Sequence, residues 1–379
     1  MFPIYGSFAN VEVHIKNLIC AMAAAVTLAG CSGGSSVPTS NAPRAAAKRA
    51  YNGTASVGDF LSISIDSNAR TIAYTDHSNG ETGTVPYTIN SDGSYAITDP
   101  SGNLVSAYEV PGYALVVAAQ KVGPDRATPA LVTAVESGPI SLATFSSHNY
   151  NFMEFRTAAG GFEAGSVAVD ANDNISGASY WPLGSFISNA SPINDLRLSL
   201  SGAIEDPSGT FMKLALEGQT NYMFGTANGQ FLIDTPNGAI LGLQQSASPA
   251  FDPASAGTYN AIYFEKTNVE TRPGNIETGA GTIKKASIAI DASAHITVTD
   301  ATGTVIVNST LMPVADTAYL QGPGLLSGPC PGLFTFRVID GSSQRDVFVA
   351  FQGRALMFAS FTGLHDSELY SYDYGVGLH

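Results

Sequence analysis

Along most of the chain, apolar and polar residues alternate in short runs. "FLSISID", "TIAYTD", "SYAITD", "YALVVAA", "QFLID", "HITVTD" and "DVFVAFQ" are examples. Successive side chains of a strand point to opposite faces, so a period of two predicts half-buried β-strands. The runs are rich in Val, Ile, Thr, Tyr and Phe, which suit a pleated surface. Turn signals such as "NSDGS", "DPSGT", "DTPNG" and "DATGT" separate them. Connections this short force neighbouring strands to run antiparallel. No long segment repeats apolar residues at helical spacing. "NAPRAAAKRA" has helix formers but no apolar face to dock it.

One strand-and-turn pattern recurs three times. "ISIDSNARTI" begins at Ile63, "VAVDANDNI" at Val167 and "IAIDASAHI" at Ile288. Each copy is an alternating strand ending in Asp (Asp66, Asp170, Asp291), a polar turn, and a strand that opens with Ile. The pattern predicts that Ile65, Val169 and Ile290 are buried and that the three Asp residues lie in exposed hairpin turns. "YNFMEFRT" at Tyr150 leads into the second copy and "YNAIYFEK" at Tyr259 into the third, where "NVETRPGNIETG" reads as an inserted loop. The first copy has Tyr51-Asn52 without the same strand after it. The expected fold is all-β: repeated antiparallel modules, small barrels or sandwiches, over residues 51–145, 146–250 and 251–379. A propeller or one merged large sheet is the alternative, although a unit of about 100 residues is long for a blade of about 40–50.

The leader adds location. "LICAMAAAVTLA" follows His14 and Lys16, a basic start and then an apolar run of signal-peptide length. The run is shorter than the roughly 20 residues a membrane-spanning helix needs. Leu28-Ala29-Gly30-Cys31 closes it and resembles the lipobox of bacterial lipoproteins. The resemblance implies cleavage before Cys31 and acylation of its sulfur. Residues 1–30 are then a signal peptide, and the bilayer is a partner through acylated Cys31. "MFPIYGSFANVE" fits poorly as a leader start, so a downstream start codon is expected. Residues 31–50, rich in Ser, Gly, Pro and Ala, read as a flexible tether. Ser32 stands where an Asp would signal inner-membrane retention, which favours the outer membrane and leaves the face open.

Charge narrows the partners. With 31 acids against 17 bases, the net charge of −14 repels phosphate backbones, and no nucleic-acid partner is expected. The cysteines are Cys20, Cys31 and Cys330. Once the leader is gone and Cys31 is acylated, Cys330 has no partner for an internal disulfide.

Candidate chemistry is sparse. In "DANDNISG", Asp170, Asn172, Asn174 and Ser176 place oxygens as a calcium loop would. Ile175 and Trp181 stand where such a loop wants Gly and Glu, so a hairpin turn rich in Asx residues is the favoured reading. The histidines form no HExxH pair, and no G-x-S-x-G or phosphate-binding fingerprint is present. Glu154 and Arg156 share a strand face and read as a surface ion pair. Tyr370, Tyr372 and Tyr374 share another and read as cross-strand packing rather than a stacking row for sugars. "HDSE" at 365–368 reads as a solvated loop. No catalytic residue and no cofactor are indicated. The expected function is a non-catalytic binding or interaction module with a protein or glycan partner. The alternatives are an envelope hydrolase acting on a glycan or ester, and a barrel-type carrier of a small hydrophobic ligand. Facing carboxylates in a polar cleft would favour the hydrolase, and an apolar barrel interior the carrier.

Overall fold

The computed structural model describes residues 47–98, 104–119, 129–155, 162–181, 191–199, 203–216, 219–236, 238–272, 275–278, 281–314, 331–340, 343–363 and 370–379. The leader, Cys31, most of the expected tether, Cys330 and the "HDSE" segment lie outside these residues. Helix among the described residues is confined to two short 3-10 turns, Leu142–Thr144 and Pro253–Ser255.

The first module comprises β1 (Lys48–Ala55), β2 (Phe60–Asp66), β3 (Thr71–Asp76), β4 (Glu81–Ile89), β5 (Tyr95–Thr98), β6 (Leu104–Val110), β7 (Ala114–Ala119) and β8 (Ala130–Glu136). Each strand pairs with the next and β8 returns to β1, giving a closed barrel. β1 takes in Lys48 to Ala50, which the sequence had suggested for the tether.

The second module comprises β9 (His148–Phe155), β10 (Phe162–Val169), β11 (Asn174–Trp181), β12 (Ser191–Ser199), β13 (Ile204–Glu205), β14 (Met212–Leu216), β15 (Gln219–Thr226), β16 (Gln230–Thr235) and β17 (Gly238–Gln244). The third runs through β18 (Gly257–Arg272), β19 (Asn275–Thr278), β20 (Thr282–Ile290), β21 (His295–Asp300), β22 (Val305–Thr310), β23 (Met312–Pro313), β24 (Leu333–Asp340), β25 (Ser343–Gln352), β26 (Ala355–Gly363) and β27 (Tyr370–Leu378). In both, the last strand returns to the first. β19 pairs only with the far end of β18. The segment expected as an inserted loop is therefore a hairpin arm.

All three modules follow one circuit. In the first, β4 changes partner midway: residues 81–86 pair with β3, and 87–89 pair with β5. Pro86 sits at the change. In the other two, the fourth strand is broken there. β12 pairs with β11 and β13 with β14; β22 pairs with β21 and β23 with β24. Repeated barrel-like modules are thus the architecture: the first closes fully, while in the second and third no ladder among the described residues joins the two halves of the fourth strand, and neither a propeller nor one merged sheet forms.

The registers agree as well. Tyr51 lies opposite Ile63, Tyr150 opposite Val167, and Tyr259 opposite Ile288. Tyr51 therefore belongs to the repeat. Ile65, Val169 and Ile290 are 0%, 5% and 4% exposed, as their alternation required. The hairpins that follow need one residue at positive φ, supplied by Arg70 (53°), Asp173 (61°) and Ala294 (65°). Asp170 and Asp291 are exposed, while Asp66 is half-buried beside Lys48. Local hydrogen bonds hold all three carboxyls below the usual carboxylate range, led by the N–H of Ala69, the N–H of Asn174 and the hydroxyl of Ser293 respectively.

The outer faces close a ring. β1 and β8 pack on β15 and β16; β9 and β17 pack on β26 and β25; β18 and β27 pack on β6 and β7. The first and eighth strands of each module thus meet the sixth and seventh of the next, around an apolar seam that includes Val116, Met153, Leu241, Ile262, Met357 and Tyr374. Phe155 stacks on Tyr374 at 4.8 Å and 8°. The turns between sixth and seventh strands converge, each with a glycine at positive φ: Gly112, Gly229 and Gly353. Tyr113 Oη donates to the Gln352 carbonyl at 2.8 Å and accepts the Arg354 N–H at 3.1 Å. Gln352 Nε2 in turn donates to the Asn228 carbonyl. A Cβ on Gly353 would lie 2.8 Å from the Tyr113 hydroxyl oxygen, so this close approach needs glycine. In the first two modules the Asn after the repeat Tyr latches forward: Asn52 Nδ2 donates to Thr210 O at 3.1 Å, and Asn151 Nδ2 to Pro331 O at 2.9 Å. At the third junction, Lys285 Nζ donates to Asp92 Oδ2 at 3.1 Å.

Candidate ligand-binding site

The shared circuit gives each barrel an inner end near the ring centre and an outer end away from it. Inward-facing side chains decide how full each barrel is.

The first barrel is packed. Tyr51, Ile63, Ile65, Ile72, Tyr87 and Tyr95 belong to its core. A polar plug sits among them. Arg49 grips Glu109 with two hydrogen bonds, Nε to Oε1 at 2.6 Å and Nη2 to Oε2 at 2.8 Å. Tyr51 Oη donates to Oε1 at 2.5 Å, and Tyr95 Oη donates to Oε2. The Arg49 and Glu109 side chains are 7% and 1% exposed. Donation to Glu109 holds the Arg49 guanidinium above its ordinary range, and burial, then Glu109, pushes both tyrosines up. The core of the second module is packed with aromatic rings: Tyr150 meets Phe231 at 5.0 Å, and burial pushes the Tyr150 hydroxyl up to about 12.

The third barrel has an aromatic inner end and a hollow outer half. Phe251 meets Phe334 at 5.8 Å and Phe351 at 5.9 Å, and Phe334 meets Phe351 at 5.7 Å. Beyond them lies a cavity of about 830 Å³ that also extends to Ser106, Ala118 and Lys285 at the junction with the first barrel. Its walls include Ile288, Ile296, Val298, Val349, Leu356 and Phe358. Its mouth carries Tyr263, Glu265, Lys284, Asp300, Ser360 and Asp373. Glu265 and Asp373 lie directly opposite each other on β18 and β27. Lys284 pairs with Glu265. Ser360 Oγ donates to Asp373 Oδ2 at 2.9 Å, and Asp373 is 7% exposed. Asp300 caps its own turn, accepting the N–H groups of Thr302 and Thr304 at 2.8 and 2.9 Å. The Thr302 hydroxyl and these N–H groups hold its carboxyl below the usual range.

Register identifies what differs. Residues paired in the same way occupy the same place in both barrels. Tyr74 lies opposite Ile63 as Val298 lies opposite Ile288. Ala119 and Ala130 form the cross-strand pair that Ser360 and Asp373 form in the third barrel. Six residues after the repeat Tyr stand Val57 in the first barrel and Glu265 in the third. At Ser360 and Asp373 the polar mouth of the third barrel is therefore not a requirement of the circuit.

The sequence candidates fall elsewhere. Asp170 Oδ1 accepts the N–H groups of Asn172 and Asn174 at 2.7 and 2.9 Å, and Asn174 Nδ2 donates to Oδ2 at 3.0 Å. The carboxylate is engaged by its own hairpin; the Ser176 side chain lies outside the described residues. Among the described residues, no three His, Cys, Asp or Glu side chains converge as a metal site would require. Glu154 is not the surface group expected. It is 7% exposed, on the face of β9 that carries Tyr150 and Phe152, and Arg156 lies outside the described residues. Tyr372 and Tyr374 are packing residues, stacked 6.2 Å apart in the seam. The reading of "LYSYDYGVGL" thus identified the alternation but looked at the other face: Asp373, between those tyrosines, lines the cavity. An acid alternating with Gly375 and Gly377 was the signal available.

No family model and no curated protein matches the chain. Among solved structures, it resembles transferrin-binding protein B from serogroup B Neisseria meningitidis at 10% identity and a TM-score of 0.29, covering 85% of this chain and 66% of that one. A transferrin-binding protein B mutant from Haemophilus parasuis matches at 10% identity and a TM-score of 0.25, over 84% and 65%. A protein of unknown function from Nostoc punctiforme matches at 9% and 0.15, over 88% and 94%. The chain spans just under two thirds of the transferrin-binding chains. Superpositions this loose leave the function to be argued from the chain's own residues.

Proposed function

We propose that this chain is a lipid-anchored protein of the bacterial envelope that binds a small, largely apolar ligand inside its third barrel. The observation that carries the reading is the cavity of about 830 Å³ behind a polar mouth. That is within the size range of small-ligand pockets, roughly 300–1,000 Å³, and shares their build of apolar walls with a few polar groups. The Leu28-Ala29-Gly30-Cys31 motif supports the anchor, and Ser32 favours the outer membrane. The hydrolase reading fits less well. A glycosidase sets its carboxylates on either side of the scissile bond. Glu265 and Asp373 instead stand side by side on one wall, with Lys284 on Glu265.

Titration with the neutral fluorescent probe N-phenylnaphthylamine tests the binding. Saturable emission enhancement is expected, weakened about tenfold or more by Val298→Trp, which fills the cavity. No saturable signal, or one that Val298→Trp leaves untouched, overturns the reading. Cys31→Ser, expected to move the protein out of the membrane fraction, tests the anchor separately.

A further inference from the structure

We propose that Lys266, on the seam side of the third module, is a covalent site that takes up apolar aldehydes or ketones as Schiff bases. The site stands apart from the cavity and does not rest on the carrier reading.

β18 carries Glu265 into the third barrel and Lys266 to the opposite face, which it shares with Ile262 and Phe264. That side of the sheet packs on β6 and β7 of the first module. Lys266 lies directly opposite Tyr372 on β27. Phe264 and Tyr372, 0% and 1% exposed, stand 6.1 Å apart on the same face. Lys266 is itself 7% exposed. Lysine is almost never buried so far without an ion pair. Other lysines of this chain have one: Lys48 pairs with Asp66 at 3.8 Å, Lys284 with Glu265, and Lys285 with Asp92 at 3.1 Å. Lys266 makes no hydrogen bond or ion pair among the described residues. Nor does the circuit require a lysine, since the same count from the repeat Tyr reaches Gly58 in the first module.

Titratable groups on the packed elements are turned elsewhere or are phenols. Glu265 and Asp373 face the cavity, and Glu109 is locked inside the first barrel by Arg49. Glu136 is exposed at the end of β8, and Lys284 and Lys285 are held by Glu265 and Asp92. β7 (Ala114–Ala119) carries no titratable residue. Tyr108 and Tyr372 share the seam. Burial accordingly holds the Lys266 amine below the usual lysine range. An amine kept neutral by an apolar setting is a nucleophile toward carbonyls. Its nitrogen adds to the carbonyl carbon, and its two N–H protons leave with the carbonyl oxygen as water. A C=N bond replaces C=O with no change of oxidation state. The rings beside Lys266 favour an apolar carbonyl compound over a charged one.

Trapping with benzaldehyde and cyanoborohydride on the full chain, followed by peptide mass mapping, tests the site. At about pH 7.5, the benzyl adduct is expected on Lys266 about tenfold faster than on Lys48, whose exposed amine is mostly protonated there. The lead should shrink toward about pH 10, where exposed lysines also lose their proton. It should vanish in guanidinium chloride, and charged glyoxylate should show no such lead. Lys266→Met should remove the fast adduct without lowering the thermal midpoint. Reaction at Lys266 no faster than at Lys48, or a lead that persists in the unfolded chain, overturns the proposal. An equal lead with glyoxylate overturns the apolar class. Loss of the adduct in Val298→Trp would place the reacting carbonyl in the cavity and overturn the seam site, whereas failure to bind N-phenylnaphthylamine would remove the carrier reading alone.

Discussion

Tyr74 in the first barrel and Val298 in the third hold one structural position, yet they face different interiors. Tyr74 reaches across to Gly83, where an added Cβ would fall 2.4 Å from the tyrosine hydroxyl oxygen. Ring and glycine fill the space between them. Val298 stops short and leaves a wall of the cavity. At the other end the contrast reverses in chemistry. The first barrel is plugged by Arg49, Glu109 and two tyrosines, and the third by phenylalanines packed edge to face. The comparison teaches that the circuit of paired strands tolerates a packed or a hollow interior. Closure depends on backbone pairing and on the outer seam, and the interior is set by a few inward side chains.

The largest expected effect breaks the plug. Glu109→Ala leaves the Arg49 charge buried without its partner and should cost about 3–5 kcal/mol in chemical denaturation. Replacing the pair with Arg49→Met and Glu109→Leu should recover most of that loss. A single variant that costs nothing would show the plug to be dispensable.

Exchanging the paired positions sharpens the contrast. Tyr74→Val hollows the packed barrel and should cost on the order of 3 kcal/mol. Val298→Tyr adds volume where space exists and should change stability by less than about 1.5 kcal/mol. Equal penalties at the two sites would argue that the third barrel is as full as the first.

A titration outside both interiors provides a further check. Asp234 lies in the seam, where Thr54 Oγ1 donates to it at 2.7 Å. Burial, with Asp76 nearby, pushes its carboxyl up to about 7 from 3.8. The folded state therefore holds this proton more tightly than the unfolded chain does. Its contribution to stability is complete below about 4 and is lost as pH rises toward about 7, then flat. Denaturation midpoints should follow that slope, and Asp234→Asn should flatten it; a wild type with no slope in this window would refute the assignment.

The smallest effects belong to the shared hairpins. Asp66→Asn, Asp170→Asn and Asp291→Asn should each leave the thermal midpoint nearly unchanged, since the amide oxygen can accept the same N–H bonds. A calcium-dependent thermal shift lost only in Asp170→Asn would instead make that turn a cation site.

Much of the strand content was legible from the alternation of two, including β2, β10 and β20 with their turns. The strands that escaped it carry a reason. β4 contains Gly83 and Pro86, which break its apolar pattern where it tucks under Tyr74 and changes partner. β17 contains Gly242, whose missing Cβ makes room for the Phe231 ring. Glycines that serve a cross-strand ring read as turns in a linear string.

The candidate site was less legible. Glu265 and Asp373 are 108 residues apart in number and meet only because β27 returns to β18.

The sequence by itself determined the strands, the hairpins after Asp66, Asp170 and Asp291, and the threefold recurrence, because these follow from the two-residue period and from local turn chemistry. It also carried Leu28-Ala29-Gly30-Cys31, whose resemblance to a lipobox is read in linear order. Only the tertiary structure decided which alternating face looks inward, that the three barrels close on one another, and that one of them is hollow. Those outcomes depend on contacts between residues far apart in the chain, where the volume of one side chain matters only against the neighbours the closed sheet brings to it.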